Sequence, residues 1–248
     1  MMNLRFNRLV IPSTITLAAI FAGYLSILAS ISGYYKESAA LILLAALLDM
    51  IDGRVARMIN ASSDFGVQID SLADVVNYGL APALLFYALY FEQIGLLGVA
   101  VSFLPVACAA IRLARYNVSA DPDIPSAYFE GLPTTMAAFV MSAWVIFAGT
   151  YYPAFGTPAQ AALVTIILSL LMISTVHYDK ANIFSLRYIR KTRRLLTLLA
   201  IAVSILISPP LALFLWGWLY IMYGLTRSAI IFIWYARRDD DREAEAVL

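Results

Sequence analysis

Five aspartates lie between residues 49 and 74, and four of them, all except Asp64, form two pairs with helical spacing. Asp49 and Asp52 are three residues apart, and Asp70 and Asp74 are four residues apart. In a helix, either spacing places both side chains on one face. A carboxylate in an apolar helix is costly unless a cation or hydrogen bonds stabilise it. The spacing therefore predicts two acidic helix faces that meet at one site.

These carboxylates are candidate ligands for two divalent metal ions. Four anions brought together repel one another unless cations lie between them. Oxygen ligands alone suit Mg²⁺, Mn²⁺ or Ca²⁺ better than zinc or copper. The alternative is a buried salt-bridge network with Arg54 and Arg57, which lie in the same segment. Two arginines would leave two aspartates unpaired, so we prefer the metal site.

The elements that would position this site are membrane helices. Of the 248 residues, 62% are hydrophobic, and the mean hydropathy of +0.81 is far above that of a soluble domain. The net charge of +1 argues against a nucleic-acid-binding protein, which needs a basic face to neutralise phosphates. Cys108 is the only cysteine and allows no internal disulfide.

Eight apolar runs are long enough for helices in a bilayer about 30 Å thick. We expect an all-α polytopic membrane bundle with one transmembrane domain over residues 1–236 and a charged tail over residues 237–248. Seven spans stay open as an alternative, because the seventh run is short and Pro209-Pro210 could kink one continuous helix. Six spans are possible if a pair of these runs lies in the membrane interface. The runs cover residues 8–33, 37–60, 66–91, 94–116, 131–150, 157–176, 193–207 and 209–236.

Basic residues lie in alternate connections between these runs, whereas the opposite connections contain only Lys36. The positive-inside rule then places the site and both termini in the cytoplasm, which favours an even number of spans. Six basic residues before the seventh run are a topology signal or, alternatively, a contact for anionic lipid headgroups. The cytoplasmic basic residues are Arg5, Arg8, Arg54, Arg57, Arg112, Arg115, Lys180, Arg187, Arg190, Lys191, Arg193, Arg194, Arg237, Arg238 and Arg242.

The segment from Asp49 to Asp74 resembles the signature of the CDP-alcohol phosphatidyltransferase family, D-x2-D-G-x2-A-R-x8-G-x3-D-x3-D, without a gap or a substitution. The resemblance implies that the four aspartates hold two divalent ions, Mg²⁺ or Mn²⁺, and that Asp74 is the general base. It also implies a binding site for the CDP-lipid donor. The candidate donor-binding residues are Gly53, Ala56, Arg57, Ser63, Gly66 and, on the first span, Ser13, which stands where relatives have an asparagine.

Further segments resemble the phosphatidylserine synthase branch of this family: DSLADVVNYGLAPA, RLARYN and FEGLPTTMAA. The resemblance implies CDP-diacylglycerol and serine as substrates, and a homodimer. Serine is a zwitterion, so its carboxylate needs a cationic or amide partner, which Arg112, Arg115 or Asn117 could supply. Its ammonium needs an acceptor, for which Glu130 is the candidate. Alternatively, both arginines are ordinary cytoplasmic anchors of the fourth span.

Two other hypotheses stay open at this point. The acceptor could be choline, glycerol 3-phosphate or inositol phosphate instead of serine. A protein of another class, an ion-coupled transporter, could use the same carboxylates as an ion path. A transporter would carry acidic groups near the bilayer midplane and interrupted helices in paired repeats. The aspartates here cluster at helix ends on one side, which favours the enzyme.

Overall fold

The chain is almost entirely helical in its computed structural model, which describes residues 2–58, 64–119, 128–179 and 191–246. Each of the eight predicted apolar runs coincides with a helical stretch. The helices are α1 (Met2–Ile31), α2 (Tyr35–Met58), α3 (Asp64–Asp74), α4 (Ala81–Phe86), α5 (Leu96–Ser119), α6 (Thr134–Tyr151), α7 (Pro158–Ile173), α8 (Lys191–Ile207) and α9 (Pro209–Ala246).

Two π-helical segments interrupt the third helical stretch. Val75–Leu80 joins α3 to α4, and Tyr87–Phe91 follows α4. A 3₁₀ turn over Glu92–Ile94 completes the stretch. The apolar pattern predicted one span here, and the helical path is indeed continuous, but the pattern did not predict the change in winding.

Four helices in the described ranges are long and apolar enough to cross a membrane: Ser13–Ile31, Gly66–Ile94, Leu96–Val118 and Thr134–Tyr151. Two shorter apolar helices cover Pro158–Ile173 and Leu195–Ile207. The all-α polytopic membrane fold is therefore confirmed. The number of spans, eight, stays a prediction.

Helix α6 is the centre of the bundle and packs against α2, α7 and α9. Residues 140–145 are all buried, so every side of this helix faces protein. A helix that is apolar all round belongs in such an interior position. Because α2 packs directly on α6, the acidic helix is fixed against the most buried element of the fold.

Three serines hold α1 against α2. The Ser38 hydroxyl lies 2.9 Å from that of Ser26 and 2.7 Å from that of Ser30, and all three side chains are buried. In an apolar environment, small side chains let helices approach closely and hydroxyl pairs satisfy one another. These contacts set the position of α2 along α1.

A short antiparallel hairpin joins two connections that are distant in sequence. Strand β1 (Tyr128–Glu130) precedes α6, and strand β2 (His177–Asp179) follows α7, with Phe129 opposite Tyr178. Tyr178 is buried and stacks on Tyr220 of α9 at 5.8 Å between ring centroids. The all-α prediction did not include these strands.

Gly131 leads from β1 into α6 with a φ of +73°, a backbone conformation that glycine adopts without strain. Its N–H donates to the carbonyl of Val176 at 2.9 Å, and a Cβ at this position would overlap the backbone oxygen of Met172. Pro133 then directly precedes the first residue of α6. The G-L-P sequence thus fixes the entry to α6.

We expect Gly131→Ala to lower the free energy of unfolding by about 2–4 kcal/mol, because it combines backbone strain with overpacking. Gly33→Ala is the matched control, since Gly33 has a φ of +81° with open space around it. This control should cost only about 1 kcal/mol. Unfolding followed by circular dichroism in detergent measures both values, and equal losses would contradict the assignment of a backbone overlap at Gly131.

Candidate active site

Helices α2 and α3 bring three carboxylates together. One oxygen each from Asp49, Asp52 and Asp70 lies within 4.8 Å of the others. Asp52 is buried, Asp49 is partly buried and Asp70 is exposed, so the cluster opens to one side. Among the described residues, no basic side chain forms an ion pair with any of the three. An all-oxygen donor set without a basic partner fits a divalent cation.

Asp74, the last residue of α3, lies beside this cluster. Its carboxylate interacts electrostatically with those of Asp49, Asp52 and Asp70, although it is not one of the three whose oxygens are mutually within 4.8 Å. It also attracts the guanidinium of Arg112 on α5. Asp74 therefore interacts both with the acidic cluster and with a buried cation.

Helix α1 contributes a hydrogen bond that the sequence analysis did not assign. The hydroxyl of Thr16 donates to the Asp52 carboxylate at 2.7 Å, and both side chains are buried. The backbone N–H of Gly53 provides a second donor to the same carboxylate. These donors hold Asp52 in one orientation. In the sequence, the only indication of this role is a threonine in the first apolar run, near the cytoplasmic end that the aspartates are predicted to share.

In the π-helical segment that follows Asp74, three consecutive residues are buried, and each contacts a different part of the structure. Asn77 lies against Gly23 of α1, where a Cβ would overlap the amide oxygen. The Tyr78 hydroxyl interacts electrostatically with the carboxylates of Asp49, Asp74 and Asp52. A Cβ on Gly79 would lie 3.3 Å from Ala109 on α5. Local π-helical winding is frequent at functional sites, and here it packs the acidic end of α3 between two helices.

The predicted donor-binding residues are only partly covered by the structure. Gly53 follows Asp52 on α2, Gly66 lies one turn before Asp70 on α3, and both are partly buried. Ser13 is partly buried on α1, one turn before Thr16. The side chains of Ala56 and Arg57 and the whole of Ser63 lie outside the described residues. A role in donor binding stays a prediction for all six.

Arg112 is buried, with 7% of its surface exposed, on the side of α5 that faces Asp74. Its guanidinium lies 5.7 Å from the centroid of the Phe129 ring on β1. Its Nε atom has no hydrogen-bond partner among the described residues. A buried guanidinium has five donor hydrogens, so this side chain keeps donor capacity for a bound anion.

Arg115, one turn further along α5, is engaged by the protein. Its guanidinium donates to the carbonyls of Ile173 at 3.2 Å, Ser174 at 3.3 Å and Glu130 at 3.3 Å. It also lies 4.0 Å from the Glu130 carboxylate. Cations at a helix C-terminus satisfy its last carbonyls and its dipole. Arg115 thus ties α5 to the end of α7 and to β1.

The other two predicted acceptor-binding residues lie at the periphery of the site. The Asn117 amide donates to the hydroxyl of Ser71 at 3.1 Å and links α5 to α3. The Glu130 side chain is 59% exposed beside Arg115. The structure therefore separates the four candidates: Arg112 faces Asp74, and the other three make contacts between elements.

Comparisons with known proteins identify relatives of this chain. The sequence profile described as CDP-alcohol phosphatidyltransferase matches residues 9–183. A CDP-diacylglycerol–serine O-phosphatidyltransferase of Helicobacter pylori is 34% identical over 224 residues, which cover 90% of this chain and 92% of that protein. An archaetidylserine synthase of Methanothermobacter thermautotrophicus is 37% identical over 176 residues, covering 69% and 70%.

A CDP-diacylglycerol–serine O-phosphatidyltransferase of Bacillus subtilis is 30% identical over 168 residues, or 68% of this chain and 89% of that protein. The profile match includes the whole acidic segment, α5 and the β1–β2 hairpin. The extent of the match and the convergence of the aspartates lead to one conclusion: this chain belongs to the CDP-alcohol phosphatidyltransferase family.

Proposed function

We propose that this protein transfers the phosphatidyl group of CDP-diacylglycerol to the hydroxyl of L-serine, giving phosphatidylserine and CMP. The names of the relatives favour serine as the acceptor. The structural observation that carries the proposal is the position of Arg112, a buried cation beside Asp74 with unused donor capacity. Serine has a carboxylate close to its reacting hydroxyl, so one molecule can contact both residues.

We propose that Asp49, Asp52, Asp70 and Asp74 hold two divalent ions, Mg²⁺ or Mn²⁺. The all-oxygen donor set and the lack of basic partners among the described residues support this assignment. When bound, such ions would neutralise the charge that develops on the pyrophosphate oxygens of the donor. Thr16 would keep Asp52 oriented toward them through its 2.7 Å hydrogen bond.

The protein's own residues then account for the proton and for the position of the acceptor. The serine hydroxyl oxygen forms a bond to the lipid-side phosphorus, and the bond from that phosphorus to the CMP oxygen breaks. Asp74 takes the hydroxyl proton, because among the four aspartates it is the one that interacts electrostatically with Arg112, which would hold the acceptor. Arg112 holds the serine carboxylate, while Gly53, Ala56, Arg57, Ser63, Gly66 and Ser13 border the donor.

The acceptor is tested by CMP release from CDP-diacylglycerol with serine, glycerol 3-phosphate, inositol phosphate or choline in turn, in Mg²⁺ or Mn²⁺. We expect release only with serine, and a loss of about 100-fold or more in Asp74→Asn, which removes the general base. Release with another acceptor would keep the family and change the substrate. If no acceptor led to CMP release, the proposal would be contradicted and the transporter hypothesis would be favoured instead.

Arg112 and Arg115 differ in a way that kinetics can separate. We expect Arg112→Gln to raise the KM for serine by about 10- to 100-fold, because a hydrogen bond from a charged donor is lost. The KM for CDP-diacylglycerol should stay within about twofold. Arg115→Gln should instead lower the thermal unfolding temperature, since it removes contacts to three carbonyls. An unchanged serine KM in Arg112→Gln would rule out its role in acceptor binding.

We further propose a homodimer in the cell membrane with the site and both termini in the cytoplasm, and one catalytic domain over residues 1–236 with a solvated tail. The four apolar helices support the membrane location. The positions of the basic residues support the orientation. The dimer rests on the resemblance to the family. A mass measurement in mild detergent that finds monomers alone would contradict the dimer. Labelling from outside the cell of a cysteine introduced at either terminus would contradict the orientation.

A further inference from the structure

Tyr78 is a buried tyrosine next to the acidic site that the sequence analysis did not select. Only 1% of its surface is exposed, and its ring belongs to the hydrophobic core. It lies in the π-helical segment between α3 and α4, four residues after Asp74. Its hydroxyl group therefore reaches the acidic site from inside the bundle.

The titratable groups that interact with the Tyr78 hydroxyl are carboxylates. It lies beside Asp49 and interacts electrostatically with Asp74 and Asp52 as well. Its oxygen has no partner within strict hydrogen-bond geometry among the described residues. A buried hydroxyl without a partner is costly, and a carboxylate is the acceptor that it can reach here. Since ionised carboxylates are acceptors only, the tyrosine must be the donor.

We propose that Tyr78 is a positioning residue that donates a hydrogen bond to Asp49 and fixes the orientation of this carboxylate toward a divalent cation. The inference rests on the proposed metal site. Thr16 on α1 donates a hydrogen bond to Asp52 in the same way. Each of the two aspartates on α2 thus has its own hydroxyl donor. Groups that orient metal ligands in this way typically contribute 10- to 100-fold in metal affinity.

The chain offers a matched control for this proposal. Tyr178 is also 1% exposed, and its hydroxyl also has no partner among the described residues, but the titratable group that interacts with it electrostatically is Tyr220 on α9 and not a carboxylate. Replacing either tyrosine with phenylalanine removes one buried oxygen and keeps the ring. Only Tyr78 loses a donor to a carboxylate.

The test measures Mn²⁺ binding to the full-length protein in detergent, without substrate, from the electron paramagnetic resonance signal of free Mn²⁺. We expect Tyr78→Phe to weaken binding by about 10-fold or more, and Tyr178→Phe to bind as the wild type does. In CMP release, Tyr78→Phe should need correspondingly more Mn²⁺ for half-maximal rate. Its rate at saturating Mn²⁺ should stay within about threefold of wild type.

Wild-type Mn²⁺ affinity in Tyr78→Phe would overturn the proposal, as would equal weakening in both variants. The proposal would also be overturned if metal-free Tyr78→Phe unfolded at a lower temperature than the wild type while Tyr178→Phe did not. The Tyr78 hydroxyl would then stabilise the fold instead of a metal ligand. Because the binding measurement uses no substrate, it is independent of the acceptor. If serine releases no CMP while Mn²⁺ binding still depends on Tyr78, the proposed reaction fails and the role of Tyr78 stands.

Discussion

Mutual repulsion between carboxylates is the constraint on which the other features of this structure depend. At 4.8 Å, the separation that bounds the three-carboxylate cluster, each ionised pair costs about 3 kcal/mol at an effective dielectric constant of about 20. The packing of the helices has to oppose this cost before any cation binds. Serine hydroxyls between α1 and α2, the Thr16–Asp52 hydrogen bond and the contact of α2 with the buried α6 provide that support.

The end of the bundle that carries the carboxylates is organised by two arginines with different surroundings. Arg115 bonds the carbonyls at the end of α7 and on β1, so it holds the hairpin beside α5. The hairpin in turn places the Phe129 ring under the Arg112 guanidinium. An aromatic face attracts a cation without neutralising it. Arg112 therefore keeps its charge and part of its donor capacity next to Asp74.

The aspartate spacing was sufficient to predict the acidic cluster, because i, i+3 and i, i+4 pairs must share a helix face. The apolar runs likewise predicted each helical stretch. The strands could not be predicted: β1 and β2 have three residues each and pair across 47 residues of sequence. Arg112 and Arg115 were indistinguishable, since only tertiary contacts separate them. The π-helical winding could not be predicted from the sequence, because the amino-acid composition of Val75–Leu80 does not distinguish it from an ordinary membrane helix.

The π-helical segment after Asp74 also divides the third helical stretch into two halves with separate registers. Before it, α3 packs against α1 and places Asp70 beside Asp49 and Asp52 of α2, and after it, α4 packs against α1, α2 and α5. An α-helix turns by about 100° per residue, so deleting one residue from Val75–Leu80 would rotate one half against its neighbours. Either half of the stretch can therefore tolerate substitutions, whereas an insertion or deletion at their junction would disrupt the packing of one half.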